Sequence, residues 1–157
     1  LAWSEKTFSL VESQLNEVDA LNVSLAIDTQ RDLLTIGDEL PQGTIHGDLF
    51  RDNTLFDDDQ LTGVLDFYHA CDDYLIMDLA IAINDWCPDD TDLQEHLLSG
   101  YNDVRTLSAA ERQFLPSMRQ VAAMRFALTR LTSGEPGQPL KDPTEFLSLL
   151  TGLSNQS

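Results

Sequence analysis

One segment constrains the fold more than any other. The nearly continuous apolar run Leu75, Ile76, Leu79, Ala80, Ile83 and Trp86 carries a carboxylate, Asp78, in its middle. A helix that is apolar on several sides must be packed on several sides. A carboxylate drawn into that setting costs several kcal/mol unless it is paired, so Asp78 needs a partner. Capping its own helix near the N-terminus is one way to find it.

The rest of the chain reads as α+β and predominantly helical. Phe8, Val11, Leu15 and Val18 recur at helical spacing and predict one helix from Ser4 to Leu21. A second is expected over Leu25 to Leu40, with Leu33, Leu34, Ile36 and Leu40 toward the core, until Pro41-Gln42-Gly43 stops it. Tyr68 to Tyr74 reads as an Asp-rich loop. Pro88 to Asp92 breaks the chain, with Thr91 or Asp92 capping a helix that carries Leu93, Leu97, Leu98 and Tyr101. Ser108-Ala109-Ala110-Glu111 is a capping box that opens a helix to about Leu131, with Pro116 expected to bend it. Gly134 to Pro139 is a Gly/Pro loop, and Asp142-Pro143-Thr144-Glu145 starts a final helix.

The chemistry concentrates between His46 and Asp66. His46-Gly47-Asp48 follows the short run Thr44-Ile45, and Asn53 stands five residues beyond Asp48. A short β-hairpin is expected next, Thr54 to Phe56 against Leu61 to Asp66 across the turn Asp57-Asp58-Asp59-Gln60. Asp48, Asn53 and Asp66 in this order suit phosphoryl transfer. Moving a γ-phosphoryl group to an alcohol needs a carboxylate to orient the hydroxyl and take its proton, and a divalent cation to neutralise phosphate charge. Asp48 would be that base, and Asn53 and Asp66 the neutral and anionic ligands to Mg²⁺, which takes one or two carboxylates and leaves room for water and phosphate. The bland alternative is a hairpin whose polar residues only cap and solvate.

The segment resembles the catalytic and metal loops of the aminoglycoside phosphotransferase and choline kinase superfamily, relatives of the protein kinases. Leu61-Thr62-Gly63-Val64-Leu65-Asp66-Phe67-Tyr68-His69-Ala70-Cys71 and Asp78 to Cys87 are most similar to homoserine kinases of the choline-kinase-like type. Arg125 to Leu131 and Lys141 to Phe146 extend the likeness over most of the chain from about Leu40. The resemblance implies a protein-kinase-like C-terminal lobe that transfers phosphate from ATP to L-homoserine. In it Asp78 braces the backbone around His46 and Gly47. His46 by itself reads as a packed loop histidine, a structural residue rather than a base.

Homoserine would need a carboxylate for its ammonium and a cation for its carboxylate. Tyr68, Asp72, Asn84, Asp85 and Trp86 are candidates to line the site, and Arg125 or Arg130 to bind the substrate carboxylate. Each arginine also has the plain reading of a structural ion pair, and Trp86 that of a core residue. Arg51-Asp52, beside Asn53, departs from the expected pattern: the two could pair locally or disturb the phosphate end. A choline or aminoglycoside kinase, or a non-catalytic binding module, remains open at this point.

Composition bounds the partners. A net charge of −18, with Lys6 and Lys141 the only lysines, argues against nucleic acid. No apolar run is long enough to span a membrane and no signal pattern opens the chain, so a cytoplasmic protein is expected; the state of assembly is not specified. Cys71 and Cys87 lack metal or disulfide spacing and are expected to be reduced and packed. Neither a Gly-rich phosphate loop nor a strand lysine for the ATP phosphates occurs in the 157 residues. The expectation is therefore a C-terminal catalytic lobe over residues 1–157, separated from its N-terminal nucleotide-binding lobe and inactive alone.

Overall fold

The computed structural model describes residues 1–36, 39–135, 138–139 and 141–155. Helices α1 (Ala2–Val11) and α2 (Glu17–Ile36) come first, then strands β1 (Gln42–Ile45), β2 (Thr54–Asp57), β3 (Gln60–Val64) and β4 (Cys71–Tyr74). Helices α3 (Ile76–Trp86), α4 (Thr91–Val104) and α5 (Ala109–Leu131) follow, then β5 (Gly134–Glu135), β6 (Gln138–Pro139) and α6 (Thr144–Ser154). Two compact units result, one from residues 1–37 with 116–157, the other from residues 38–115. Helix α5 contributes to both and runs on through Pro116.

In the first unit α2 packs against α6, and Asn22 Nδ2 donates to Thr151 Oγ1 at 2.9 Å between them. Val23, Met124, Leu128, Phe146 and Leu150 are buried here. The helix expected from Ser4 to Leu21 is two helices. After a 3-10 turn at Glu12–Gln14, Leu15 is extended, and Asn16 Oδ1 accepts the Asp19 N–H at 2.9 Å, which starts α2 at Glu17. The Asn side chain satisfies a helix-end donor that the 3.6-residue pattern cannot reveal. Val18 and Leu34, expected toward the core, are exposed, while Leu33 is buried. At the other end Asp142 Oδ1 accepts the Thr144 N–H at 2.8 Å, as its capping sequence predicts.

The second unit is built around α3, where Ile76, Met77, Leu79, Ala80, Ile81, Ala82, Ile83 and Asn84 are all buried. This is the helix expected from its apolar run. The expected β2–β3 hairpin also forms, in the register Thr54↔Val64 and Asp57↔Gln60; each strand is one residue longer at the turn, and β3 ends at Val64, two residues short of the expected Asp66. Cys71–Tyr74, by contrast, is a strand and not a loop. It pairs antiparallel with β1, Ile45 opposite Cys71 and Gln42 opposite Tyr74. Its polar local sequence gives no strand signal, and its partner lies some thirty residues earlier in the chain, so the pairing is a tertiary event. Cys71 is accordingly exposed, against expectation, and Cys87 is buried; neither is in a disulfide. The cap of α4 is Asp90, one residue before those expected, through Leu93 N–H to its Oδ1 at 3.0 Å.

The Ser108–Glu111 capping box forms as expected. Glu111 accepts the Ser108 N–H at 2.8 Å and donates its own N–H to Ser108 Oγ at 3.1 Å. Arg105 adds an ion pair to the same carboxylate, which is fully buried. Among the described residues no helix is long and apolar enough to cross a membrane.

Candidate active site

The site lies in the second unit, on the loop between β1 and β2. Asp78, in the first turn of α3, does not cap its own helix. Its Oδ2 accepts the His46 N–H at 2.6 Å and its Oδ1 the Gly47 N–H at 2.8 Å. Both carboxylate oxygens are thus spent on the start of the loop, which explains an acid in an apolar helix. Gly47 has φ +77°, and a Cβ there would stand 2.6 Å from the His69 carbonyl oxygen. Only glycine fits so tight a crossing.

His46 is buried, and its ring has a defined hydrogen-bonding sense. Nδ1 accepts the Asp48 N–H at 3.2 Å, so Nε2 carries the hydrogen and donates to the Leu65 carbonyl at 2.7 Å. The Phe67 ring lies 4.6 Å from the imidazole, centroid to centroid. One side chain therefore ties the Asp48 loop to the segment that bears Asp66. Neither ring nitrogen is left to serve as a base.

Asn53 makes the second tie. Its Nδ2 donates to the Asp48 carbonyl at 2.8 Å and to Asp48 Oδ2 at 3.0 Å, which brings Asp48 and Asn53 together as a unit. Its backbone carbonyl accepts the Leu65 N–H at 2.8 Å, extending the β2–β3 ladder by one step. That extension carries the pairing to the residue before Asp66. Asp66 has φ +61° and ψ +61°, a left-handed conformation that turns the chain sharply out of β3.

Other candidates have varied surroundings. Tyr68 is 92% exposed. Asp72 Oδ1 accepts the Thr44 hydroxyl across the β1–β4 pair at 2.9 Å. Asn84 is buried, and the Trp86 ring meets Phe56 of β2 edge-on at 5.9 Å, holding the hairpin to α3. Asp85 Oδ2 accepts the Arg51 backbone N–H at 2.7 Å and its Nε–H at 3.2 Å. Arg51 thus pairs with Asp85, and not with its neighbour Asp52. Arg125 and Arg130 belong to the first unit, and this cluster to the second. Arg130 donates to Glu145 and to the Asp142 carbonyl, both at 2.8 Å, and lies over the Phe146 ring. The guanidinium of Arg125 is 5.6 Å from the Phe126 ring.

The Leu65 carbonyl that accepts from His46 and the link from Asp85 to Arg51 are not among the residues expected from the sequence. The first has no side-chain signal at all. For the second there was one: Asp78 and Asp85 are seven residues apart and so share a helix face.

The donor set can be tested for Mg²⁺. Asn53 Nδ2 is engaged by Asp48, and the amide oxygen is a hard neutral donor. With a carboxylate oxygen from Asp66, it would make up the small protein share that Mg²⁺ takes when a nucleotide supplies the remaining ligands. Among the described residues no group of three or more His, Cys, Asp or Glu side chains forms a self-sufficient metal cage.

The fold is that of a kinase-like C-terminal lobe, and the chain belongs to the phosphotransferase enzyme family, which it matches over residues 2–114. It is 36% identical over 162 residues to the homoserine kinase of Neisseria meningitidis serogroup B, covering 97% of this chain and 52% of that protein. Against the homoserine kinase of Methylobacterium radiotolerans the identity is 42% over 164 residues, 96% of this chain and 50% of the relative. With that of Xanthobacter autotrophicus it is 47% over 122 residues, covering 71% of the chain and 38% of the relative. The chain spans about half the length, or less, of these curated relatives.

Proposed function

We propose that this chain is the catalytic and substrate-binding lobe of an ATP-dependent kinase that phosphorylates the hydroxyl of L-homoserine, yielding ADP and O-phospho-L-homoserine. The observation that carries the reading is the Asp48–Asn53 pair. Asp48 presents a carboxylate on a loop pinned at its start by Asp78, and Asn53 holds that carboxylate by Nδ2. The names of the relatives support homoserine as acceptor.

In this reading Asp48 orients the acceptor hydroxyl and takes its proton. Asn53 and Asp66 would hold Mg²⁺, which when bound neutralises charge on the phosphate oxygens. His46 and Asp78 keep the loop in shape. The lysine and glycine-rich loop that grip the nucleotide phosphates would come from polypeptide outside residues 1–157, as the share of each relative covered suggests. The isolated chain should then turn over negligibly.

The test is turnover by the full-length protein with Mg-ATP on L-homoserine, choline and an aminoglycoside. Activity on homoserine that falls by about 10²–10⁴-fold in Asp48→Asn is expected. Preference for choline or the aminoglycoside would overturn the acceptor; activity on none would overturn the kinase reading. Ordinary turnover by residues 1–157 alone would overturn the division of labour.

A further inference from the structure

Asp85 stands among polar residues that could line a substrate site, yet its contacts give it different work. We infer that Asp85 is a positioning residue: from α3 it caps the 3-10 turn Arg51–Asn53 and so sets the placement of Asn53, the proposed metal ligand, rather than meeting substrate. The inference rests on the functional reading above for the role of Asn53, but not for the capping itself.

The turn Arg51–Asn53 begins without a cap of its own, because Phe50 precedes it and has no side-chain acceptor. The first N–H of such a turn lacks an internal partner. Asp85 Oδ2 supplies one to the Arg51 N–H at 2.7 Å, from a side chain only 14% exposed. The Arg51 Nε contact to the same oxygen is longer, 3.2 Å, and the Arg51 side chain is 59% exposed, so the ion pair itself contributes little. The backbone bond is the one that matters.

The geometry of α3 makes this half of a larger device. Asp78 and Asp85 are two helical turns apart on one face, about 10 Å along the axis. Asp78 grips the loop at His46 and Gly47, Asp85 grips it at Arg51, and Asp48 lies in the span between. Asn53 then closes the span by bonding back to Asp48. One rigid helix fixes both ends of the loop that bears the base and the metal ligand.

Variants at both ends of the bond test this in the full-length protein, with two readouts. In Asp85→Ala the Arg51 amide should exchange with solvent about tenfold faster or more. The Mg²⁺ concentration for half-maximal turnover should rise roughly 10–100-fold, as when support behind a metal ligand is removed, with KM for the amino alcohol within about twofold. Asp85→Asn keeps an oxygen that can accept the Arg51 N–H, so it should recover most of both losses. Arg51→Ala keeps the backbone N–H and should be milder than Asp85→Ala. Unaltered amide exchange in Asp85→Ala would overturn the capping. A KM for the amino alcohol raised equally by Ala and Asn, with the Mg²⁺ requirement unmoved, would overturn the positioning role in favour of substrate contact. If no acceptor is phosphorylated the functional reading fails separately, and amide exchange still decides the capping.

Discussion

Replacing Asp78 by Asn separates two ways in which a helix can hold an acid. In the wild-type protein both oxygens accept backbone N–H groups, from His46 at 2.6 Å and Gly47 at 2.8 Å. Hydrogen bonds to a charged group contribute about 1.5–3 kcal/mol each. Asparagine can supply only one acceptor oxygen in that position. Its NH₂ would face the second backbone N–H, so one bond is lost and two donors oppose each other. The expected cost is about 2–4 kcal/mol, or a fall of roughly 5–15 °C in Tm for a chain of this size. Were Asp78 merely a helix-terminal acid, Asn would serve almost as well, because the two are comparable as caps. Guanidinium denaturation followed by circular dichroism, with amide exchange at His46 and Gly47, measures both quantities. A destabilisation below about 0.5 kcal/mol, with those amides still protected, would refute the bracing argument.

Gly47→Ala must accept a positive φ and a Cβ 2.6 Å from a backbone oxygen. It should lose about 2–4 kcal/mol in a denaturant melt, and a near-neutral result would show that the loop moves freely away from His69. Asp66→Gly relieves a left-handed backbone, worth about 1 kcal/mol before the added freedom of the unfolded chain is subtracted. Thermal melts should therefore show unchanged or slightly raised stability while metal-dependent turnover is lost; a loss of more than about 1 kcal/mol would contradict it. Burial pushes the Glu111 carboxyl up, but the Arg105 and Ser108 hydrogen bonds outweigh it and hold it below its ordinary value of 4.5. Its contribution to stability is thus present above that value and lost as pH falls through the lower folded-state value. Arg105→Ala strands the buried carboxylate and should cost about 3–5 kcal/mol at pH 7. The gap from wild type should narrow toward pH 4, because the variant's carboxyl, with burial opposed only by the Ser108 hydrogen bonds, takes up its proton at a higher pH than the wild type's; urea melts at the two pH values would show it. A gap independent of pH would mean that Arg105 acts by packing alone.

What could be read from the sequence was local. The apolar run of α3, the Ser108 and Asp142 caps, the β2–β3 hairpin and the order Asp48, Asn53, Asp66 each depend on residues close together in the chain, where side-chain type and spacing carry the physics. The need of Asp78 for a partner was also legible, since a carboxylate partly withdrawn from water costs free energy in any topology. The identity of that partner did depend on it. So did the β1–β4 pairing, whose polar strand gives no periodic signal, and the hydrogen-bonding sense of His46, fixed by the distant Leu65 carbonyl. Asp85 shows the difference most plainly. Its place in the sequence suggested a substrate contact, and the bond it accepts from the Arg51 N–H at 2.7 Å comes from the fold. Backbone donors are alike at every position, so a sequence can state that a carboxylate needs one, while the fold alone decides which it receives.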